Sequence, residues 1–200
     1  MSFTRNPVKS RVLALASLLV FSAAAFAQSS SKPDFSSIKI KNFGQMDERF
    51  YRGAQPKEED YRDLAALGIK TVIDLQEKPR GYEKPTVEAL GMRYVNIPMV
   101  DKAYPKQEWV DAFLKVVNDP ATGKFYVHCA GGRHRTGAMG AVYRYTKYGW
   151  NYDQVYAEMK KFDFYTSRGH GDFKTFVQDY WQHMHSNGAN GAVVATASRK

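Results

Sequence analysis

Residues 125–137 read Phe125-Tyr126-Val127-His128-Cys129-Ala130-Gly131-Gly132-Arg133-His134-Arg135-Thr136-Gly137, and no other segment constrains the architecture as strongly. A short apolar strand pattern runs directly into a glycine-rich turn, and a helical pattern begins as the turn ends. Adjacent glycines allow successive backbone N–H groups to point inward, and the positive end of the following helix adds to the same spot. We therefore predict that this turn, called here the phosphate-binding loop (residues 129–135), holds a tetrahedral dianion.

Two side chains give this loop its chemistry. Cys129 is the only cysteine in the chain, so it cannot form an internal disulfide, although a lone cysteine is often only an inert core residue. The positive potential of the loop favours thiolate over thiol, and in comparable sites the cysteine pKa falls to roughly 3.5–7.5 from about 8.5. Arg135 can hold two phosphate oxygens through its planar guanidinium, which lysine cannot do. We predict that Cys129 is a nucleophile that is ionised at neutral pH.

The rest of the chain alternates between strand and helix patterns. Apolar, β-branched segments predict strands at residues 69–75, 94–97 and 125–128, and residues 38–52 read as irregular or short strand. Helices are predicted over residues 56–67, 82–90, 106–117, 136–148, 152–162 and 172–183. The alternation predicts an α/β fold with a central, mainly parallel sheet of four to five strands and helices on both faces. The phosphate-binding loop lies between the last core strand and a helix, where such sheets bind ligands.

The N-terminus predicts an export signal. Arg5, Lys9 and Arg11 give a basic start, residues 12–26 form an apolar run, and Ala25-Phe26-Ala27 supplies a small-x-small cleavage pattern. The run is shorter than the roughly 20 residues that span a bilayer, so we expect no stable membrane anchor after cleavage. We expect a signal peptide at 1–27, a single domain at 28–185, a disordered tail at 186–200, and export to a bacterial periplasm or secretion.

The net charge of the chain and the distribution of its basic residues indicate which binding partners to expect. Removing the three basic residues of the signal lowers the formal net charge from +9 to +6. The Lys and Arg residues are spread along the chain rather than gathered in a block, so nucleic acid is not expected. We expect a monomer whose partner is a phosphorylated protein or a small anionic phosphate ester.

The loop resembles the Cys-x5-Arg-Ser/Thr signature of the protein tyrosine phosphatase superfamily, and the compact dual-specificity branch is the most similar. Residues 50–56, 71–75 and 156–159 also look like segments of that branch, so the resemblance covers roughly residues 50–164. It implies that Cys129 forms a phosphocysteine intermediate and that Arg135 and the loop N–H groups bind the phosphate oxygens. It also implies that His128 orients the loop, that Thr136 hydrogen-bonds the sulfur, and that no metal or cofactor is required. The substrate-binding set implied is His128, Ala130, Gly131, Gly132, Arg133, His134 and Thr136.

The leaving group needs a proton, which this family takes from an aspartate on a loop before the cysteine. Asp101 and Asp111 are the two candidates nearby. Asp111 lies opposite the apolar stripe of a predicted helix, so a solvated helix face explains it. Asp101 follows the strand predicted at 94–97, at the sheet edge where ligands bind. We predict Asp101 as the general acid. The residues around it lack the tryptophan-proline-aspartate motif of larger tyrosine phosphatases.

Alternatives to a phosphotyrosine or dual-specificity phosphatase stay open. Arg133 and His134 could both be cationic. The sequence around them resembles the motif of the plant and fungal branch that cleaves inositol pyrophosphates. An inositol phosphate or phosphoinositide phosphatase is therefore the first alternative. A rhodanese-type sulfurtransferase and a non-catalytic phosphate-binding module are more distant ones. His183 and His185 form a His-x-His pair without an evident third ligand, which favours a surface pair over a metal site.

Overall fold

The computed structural model describes Met1 and residues 35–197, with side chains up to Ser186. The predicted signal peptide lies outside the described residues. The described residues from Phe35 onward form one compact unit. Among the helices that the structure describes, none combines the length and the apolar character needed to cross a bilayer.

A single five-stranded sheet forms the centre of the unit. Its strands are β1 (Gly44–Gln45), β2 (Phe50–Ala54), β3 (Ile69–Gln76), β4 (Arg93–Met99) and β5 (Lys124–Cys129). They lie in the order β1-β2-β5-β3-β4; β1 is antiparallel to β2, and the other pairings are parallel. The predicted α/β class with a mainly parallel sheet is confirmed.

Six helices cover the sheet in the part of the chain that the structure describes, and each corresponds to a predicted helix. They are α1 (Tyr61–Ala66), α2 (Glu83–Ala89), α3 (Gln107–Asn118), α4 (Arg135–Tyr148), α5 (Tyr152–Lys161) and α6 (Gly171–Ala197). The predicted start at residue 56 was too early for α1, because the chain first forms a 3-10 turn at Glu58–Asp60. Pro85 does not break α2, because it occupies the first turn, where no intrahelical N–H is needed.

The last helix is longer than predicted. α6 runs from Gly171 to Ala197, whereas the sequence analysis ended it at His183 and expected residues 186–200 to be disordered. The segment contains no proline, so every residue in it can supply an N–H group to the helix. The backbone of residues 186–197 is helical in the structure, and the domain limit at residue 185 and the disordered tail beyond it stay predictions.

The two faces of the sheet bury separate apolar clusters. One face packs against α3 to α6, and its cluster includes Phe125, Val127 and Cys129 of β5. The other face packs against α1 and α2, and its cluster includes Tyr126 of the same strand. Successive residues of a strand point to opposite faces. Cys129 therefore projects toward α4, while His128 projects toward α1 and α2.

Strand register brings the carboxyl ends of the central strands together. Ala54 at the end of β2 is paired with Cys129 at the end of β5, and Gln76 at the end of β3 is paired with Met99 of β4. The phosphate-binding loop leaves β5 at this edge and enters α4. The loop that follows β4 starts from the same edge, which is where the sequence analysis expected Asp101.

Candidate active site

The phosphate-binding loop is held by its carbonyl groups, which face the protein. The Arg52 guanidinium donates from Nη2 to the Gly132 carbonyl oxygen at 2.6 Å, and Arg52 is almost fully buried. The Asn42 amide donates to the carbonyl oxygens of Gly132 and Gly131 at 3.1 and 3.3 Å. These contacts fix the backbone of the glycine turn, and an anion-binding turn requires its N–H groups to point into the loop.

Gly132 has no room for a side chain. Its φ of +66° lies in the left-handed region that favours glycine. A Cβ atom built on Gly132 would lie 2.3 Å from the backbone carbonyl carbon and oxygen of Gly53 in β2. Backbone atoms cannot move aside as a side chain can, so the loop packs directly on the neighbouring strand.

We expect Gly132→Ala to abolish binding of a tetrahedral anion such as vanadate, because the loop would have to leave β2. Gly131→Ala is the matched control: a Cβ there would approach only the mobile end of the Arg133 side chain, at 3.1 Å from Nη1. Vanadate binding followed by calorimetry checks both variants. Equal binding by the two variants would contradict the role assigned to the Gly132 contact.

Cys129 lies at the bottom of the loop and is 3% exposed. Burial alone would raise the pKa of its thiol, but the positive charge of Arg135 and hydrogen bonds from Thr136 and Gly131 outweigh burial and lower that pKa. The buried Thr136 hydroxyl has no other hydrogen-bond partner among the described residues, so it is available to the sulfur. These contacts therefore stabilise the thiolate form of Cys129 relative to the thiol.

Arg135 is fixed at one end of its guanidinium. Nη1 donates to the Met99 carbonyl oxygen at 3.2 Å and, more weakly, to that of Leu75 at 3.5 Å. The Nε atom is buried and has no hydrogen-bond partner among the described residues. Nε and Nη2 are therefore the two donors that could take a pair of phosphate oxygens side by side.

Asp101 reaches the same cavity from the loop after β4. Its Oδ1 atom lies 3.7 Å from Nη2 of Arg135 and 4.0 Å from Nε2 of His170. The carboxylate is half exposed, which leaves it accessible to a bound ligand. Asp111, the rejected candidate, accepts a hydrogen bond from Gln107 on the exposed face of α3 and does not line this cavity.

The cavity itself is small, with a volume of about 210 Å³. This is below the roughly 300–1,000 Å³ of a pocket that encloses a whole small molecule. It has room for a phosphoryl group and not for most of the molecule that carries one. Its walls are formed by Asp101, Cys129, Ala130, Gly131, Arg133, His134, Arg135, Tyr165 and His170.

The amino-acid sequence of the chain matches the model of a known protein family. The model for the family described as "DSP-PTPase phosphatase fused to NAD+ kinase" matches residues 23–179. The chain belongs to this family. The resemblance to the dual-specificity branch of the cysteine-based phosphatases is thereby confirmed.

Individual proteins that are similar to this chain in sequence or in fold are consistent with this family assignment. NAD kinase 2 of Arabidopsis thaliana, a chloroplastic protein, is 33% identical over 105 residues, which are 50% of this chain and 10% of that protein. The chain thus spans about a tenth of the length of this relative. The core catalytic domain of the PP-IP phosphatase SIW14 from S. cerevisiae shares the fold, with a TM-score of 0.64, 22% identity, and coverage of 76% of this chain and 93% of the other. A TpbA variant from P. aeruginosa in complex with pTyr has a TM-score of 0.60, 21% identity, and coverage of 74% and 87%.

Three members of the predicted substrate-binding set do not line the cavity of this phosphatase domain. His128 is fully buried on the opposite face of β5, because it precedes Cys129 by one residue in the strand. Gly132 packs on β2, and the Thr136 side chain lies beneath the loop beside the sulfur. Their contribution to this cavity is support of the loop and of Cys129.

His134 lines the cavity without the positive charge that the sequence analysis allowed for it. Its ring stacks on His170 with centroids 3.6 Å apart, and Nε2 donates to the Tyr165 carbonyl oxygen at 3.0 Å. Burial and the neighbouring His170 lower the pKa of His134 to about 4. His134 is therefore a neutral, packed ring at neutral pH, and the interpretation of it as a second cation is wrong.

Arg133 is the loop side chain that does extend outward. It is partly exposed and approaches Asp163 at 3.5 Å. It also lines an adjoining groove of about 630 Å³, which shares Tyr165 with the cavity and contains Lys160 and Arg168. A groove that contains three basic residues and the acidic Asp163 therefore adjoins the cavity.

Sequence reasoning missed Tyr165 and His170. Both come from the segment between α5 and α6, and no spacing in the sequence links that segment to the phosphate-binding loop. Asp74, near the end of β3, has a structural role: it accepts from the backbone N–H of Gln76 at 2.8 Å and from the Tyr94 hydroxyl at 3.0 Å.

Three buried groups, Asp74, Glu83 and His128, have ligand atoms close enough together to suggest a metal site. The two carboxylates face opposite nitrogens of one ring, with Glu83 already hydrogen-bonded to Nε2 at 2.6 Å and Asp74 lying 3.8 Å from Nδ1. One ion cannot replace both contacts without moving the ring. The geometry is that of a hydrogen-bonded cluster rather than of a metal centre.

Proposed function

We propose that this protein is an exported phosphatase that hydrolyses phosphomonoesters, of the phosphotyrosine or dual-specificity type, through a phosphocysteine intermediate. The observation that carries the proposal is the single cavity in which Cys129, Arg135 and Asp101 meet. The family match and the TpbA variant with bound pTyr support it. The export signal pattern at residues 1–27 supports a periplasmic or secreted location.

In the first step, the Cys129 sulfur attacks phosphorus and the bond to the ester oxygen breaks. The loop N–H groups and the free donors of Arg135 bind the three other oxygens, and they bind more strongly as the transition state forms. The leaving oxygen takes a proton from Asp101, which lines the same cavity as Cys129. The products are the free alcohol or phenol and a phosphorylated Cys129.

In the second step, water attacks the phosphorus and the sulfur leaves. Asp101, now a carboxylate, takes a proton from the attacking water and is ready for another cycle. The sulfur leaves as a thiolate, which the Arg135 charge and the Thr136 hydrogen bond stabilise. The sum of the two steps is hydrolysis of one phosphate ester, and no metal or cofactor takes part in it.

The second candidate is an inositol phosphate or phosphoinositide phosphatase. The basic groove of Arg133, Lys160 and Arg168 beside the cavity favours it, because a substrate with several phosphates could place one in the cavity and another in the groove. The similarity in fold to the PP-IP phosphatase SIW14 also supports it. The loss of the charge expected on His134 weakens it.

Two other classes of protein, a sulfurtransferase and a non-catalytic binding module, fit the residues of the cavity less well. A rhodanese-type sulfurtransferase has no use for the Arg135-Thr136-Gly137 ending of the loop, and the chain belongs to a phosphatase family. A non-catalytic binding module would not need an activated sulfur and a facing carboxylate together. Persulfide formation from thiosulfate, or tight phosphopeptide binding without hydrolysis, would favour these alternatives.

A substrate panel tests the proposal. Phosphate release by the purified protein is measured with a phosphotyrosine peptide, a phosphoserine peptide, inositol polyphosphates and vesicles that contain phosphoinositides. We expect the phosphotyrosine peptide to be the best substrate. A preference for inositol polyphosphates that is lost in Lys160→Ala and Arg168→Ala would favour the second candidate instead.

Replacing Asp101 tests the proton donor. We expect Asp101→Asn to lower kcat by about 100-fold for phosphotyrosine, because a phenoxide then leaves without a proton. The loss should be smaller for para-nitrophenyl phosphate, whose leaving group needs a proton less. Asp111→Asn is the matched control and should match the wild type on both substrates. Equal losses on the two substrates would contradict the assignment of Asp101 as the acid.

A further inference from the structure

His170 lies beside Asp101 in the wall of the cavity, and one nitrogen of its ring is anchored to the backbone. Nδ1 lies 3.0 Å from the Ser167 carbonyl oxygen. A carbonyl oxygen can only accept a hydrogen bond, so Nδ1 carries a proton. The other nitrogen, Nε2, lies 4.0 Å from Oδ1 of Asp101, and the histidine side chain is only 8% exposed. His170 therefore turns its second nitrogen toward the predicted acid.

The plane of the His170 ring is fixed by aromatic packing on several sides. The ring stacks on that of His134, with centroids 3.6 Å apart and planes 17° from parallel. Tyr165 packs edge-on against it at 5.2 Å, and Phe173 of α6 lies on the same side as His134 at 6.4 Å or less from both rings. These contacts oppose rotation of the ring, so Nε2 keeps its direction toward Asp101.

The stack favours a positive charge on His170 rather than on His134. Two imidazolium rings at this distance would repel each other, and the pKa of His134 is lowered to about 4 by burial and by His170. An anion beside an imidazole favours its charged form, and Asp101 is that anion for His170. In the charged form Nε2 also carries a proton and can donate it in a hydrogen bond to Oδ1.

The loop that carries the predicted acid (residues 100–106) packs against the segment before α6 and against α6 itself. A Cβ atom built on Gly169 would lie 3.4 Å from Cδ of Lys102, so the lysine side chain lies over this glycine. Farther along the loop, the Tyr104 hydroxyl donates to Asp179 of α6 at 3.0 Å. These contacts hold the carboxylate about 1 Å beyond hydrogen-bond distance from Nε2, a gap that catalytic contacts commonly close when a ligand binds.

The two cationic side chains nearest to Asp101 both approach the same carboxylate oxygen. Oδ1 lies 3.7 Å from Nη2 of Arg135 and 4.0 Å from Nε2 of His170. An oxygen that accepts from two cations holds a proton poorly, so the proton of this carboxyl group belongs on Oδ2. The other charged groups in the wall of the cavity are Arg133 and the thiolate of Cys129.

We propose that His170 is a positioning residue for Asp101: Nε2 donates to Oδ1 and thereby directs Oδ2 toward the leaving oxygen of the substrate. The inference rests on the proposed function, in which Asp101 gives a proton to the leaving oxygen and later takes one from water. His170 keeps both of its own protons through the two steps, so their proton balance is unchanged.

The test is a double-mutant cycle between His170 and Asp101. His170→Asn retains an amide that can donate to the Ser167 carbonyl oxygen and removes the atom that faces Asp101. We expect it to lower kcat by about 10-fold for a phosphotyrosine peptide, with KM changed by less than about twofold. The loss should be smaller for para-nitrophenyl phosphate, whose leaving group needs a proton less. Adding His170→Asn to Asp101→Asn should lower kcat by less than about twofold further.

Two other variants complete the cycle. His170→Gln keeps an N–H donor near the position of Nε2 and should recover most of the lost kcat. His185→Asn is the matched control, because the exposed His185 of α6 also donates from Nδ1 to a backbone carbonyl oxygen, that of Trp181 at 2.8 Å. Its kinetics should match the wild type.

Three kinetic results would overturn the proposal. One is a His170→Asn loss of equal size on the two substrates, and another is a loss that is undiminished in the Asp101→Asn background. The third is a His170→Gln protein as impaired as His170→Asn, since a donor at this position would then not be what matters.

A crystal structure of the wild-type protein with vanadate gives a measurement that needs neither turnover nor a variant. We expect the distance from Nε2 of His170 to Oδ1 of Asp101 to shorten to about 3 Å. A distance that stays at 4.0 Å or lengthens would contradict the proposal. If the contact shortens but no phosphate ester is hydrolysed, the proposed function fails and the contact stands. If esters are hydrolysed and the effects of the two substitutions are additive, only the inference fails.

Discussion

Cys129→Ser is expected to lower phosphatase kcat by about 10,000-fold or more, because a neutral hydroxyl replaces an ionised sulfur as the attacking group. The loop N–H groups and Arg135 are unchanged in this variant, so binding of vanadate or phosphate should persist. Phosphate release and calorimetric titration of the same preparation check the two halves of this expectation.

The contrast between the two measurements is what makes the variant informative. A loss of both turnover and anion binding would indicate that the loop had lost its conformation. That result would not support Cys129 as the nucleophile. Turnover close to the wild-type rate would mean that another group attacks the phosphorus. Cys129 would then be the buried core residue that a lone cysteine more often is.

Arg135→Lys is expected to lower kcat/KM by about 1,000-fold, although the charge is kept. The loss follows from geometry: a lysine ammonium is a single point of charge, whereas the guanidinium offers Nε and Nη2 to two oxygens at once. Lysine would also lose the tether that Nη1 makes with the Met99 carbonyl oxygen. Steady-state kinetics with a phosphotyrosine peptide measure the effect.

Arg133→Lys is the matched control for this arginine. Arg133 belongs to the same loop and has a partly exposed side chain that approaches Asp163. A change of only a few-fold is expected there for phosphotyrosine. Equal losses in the two variants would show that positive charge in the loop matters and that the forked geometry of Arg135 does not.

The loop and the fold could be predicted from sequence because both depend on local patterns. The spacing of Cys129 and Arg135, the glycines between them and the helix that follows are adjacent in the chain. Asp101 could be predicted because the loop after a parallel strand must emerge at the same sheet edge as the phosphate-binding loop. Its position in the cavity agrees with that expectation, and its role as an acid stays a prediction.

The features that sequence reasoning missed depend on contacts between distant segments. Glu83 is one acidic residue in the first turn of a helix, and only the folded chain places it against His128. Tyr165 and His170 reach the cavity from a connection far along the chain. The charge of His134 was misjudged for the same reason, since burial and stacking on His170 are properties of tertiary structure.

The backbone contact between Gly132 and Gly53 has a thermodynamic consequence. Since the loop is braced by a strand of the sheet and by the side chains of Arg52 and Asn42, its shape exists before any ligand arrives. Preorganisation of this kind removes the entropy of ordering a loop from the cost of association. The dipoles that meet the dianion are then already oriented, and the free energy of binding can go into the reaction rather than into folding the receptor.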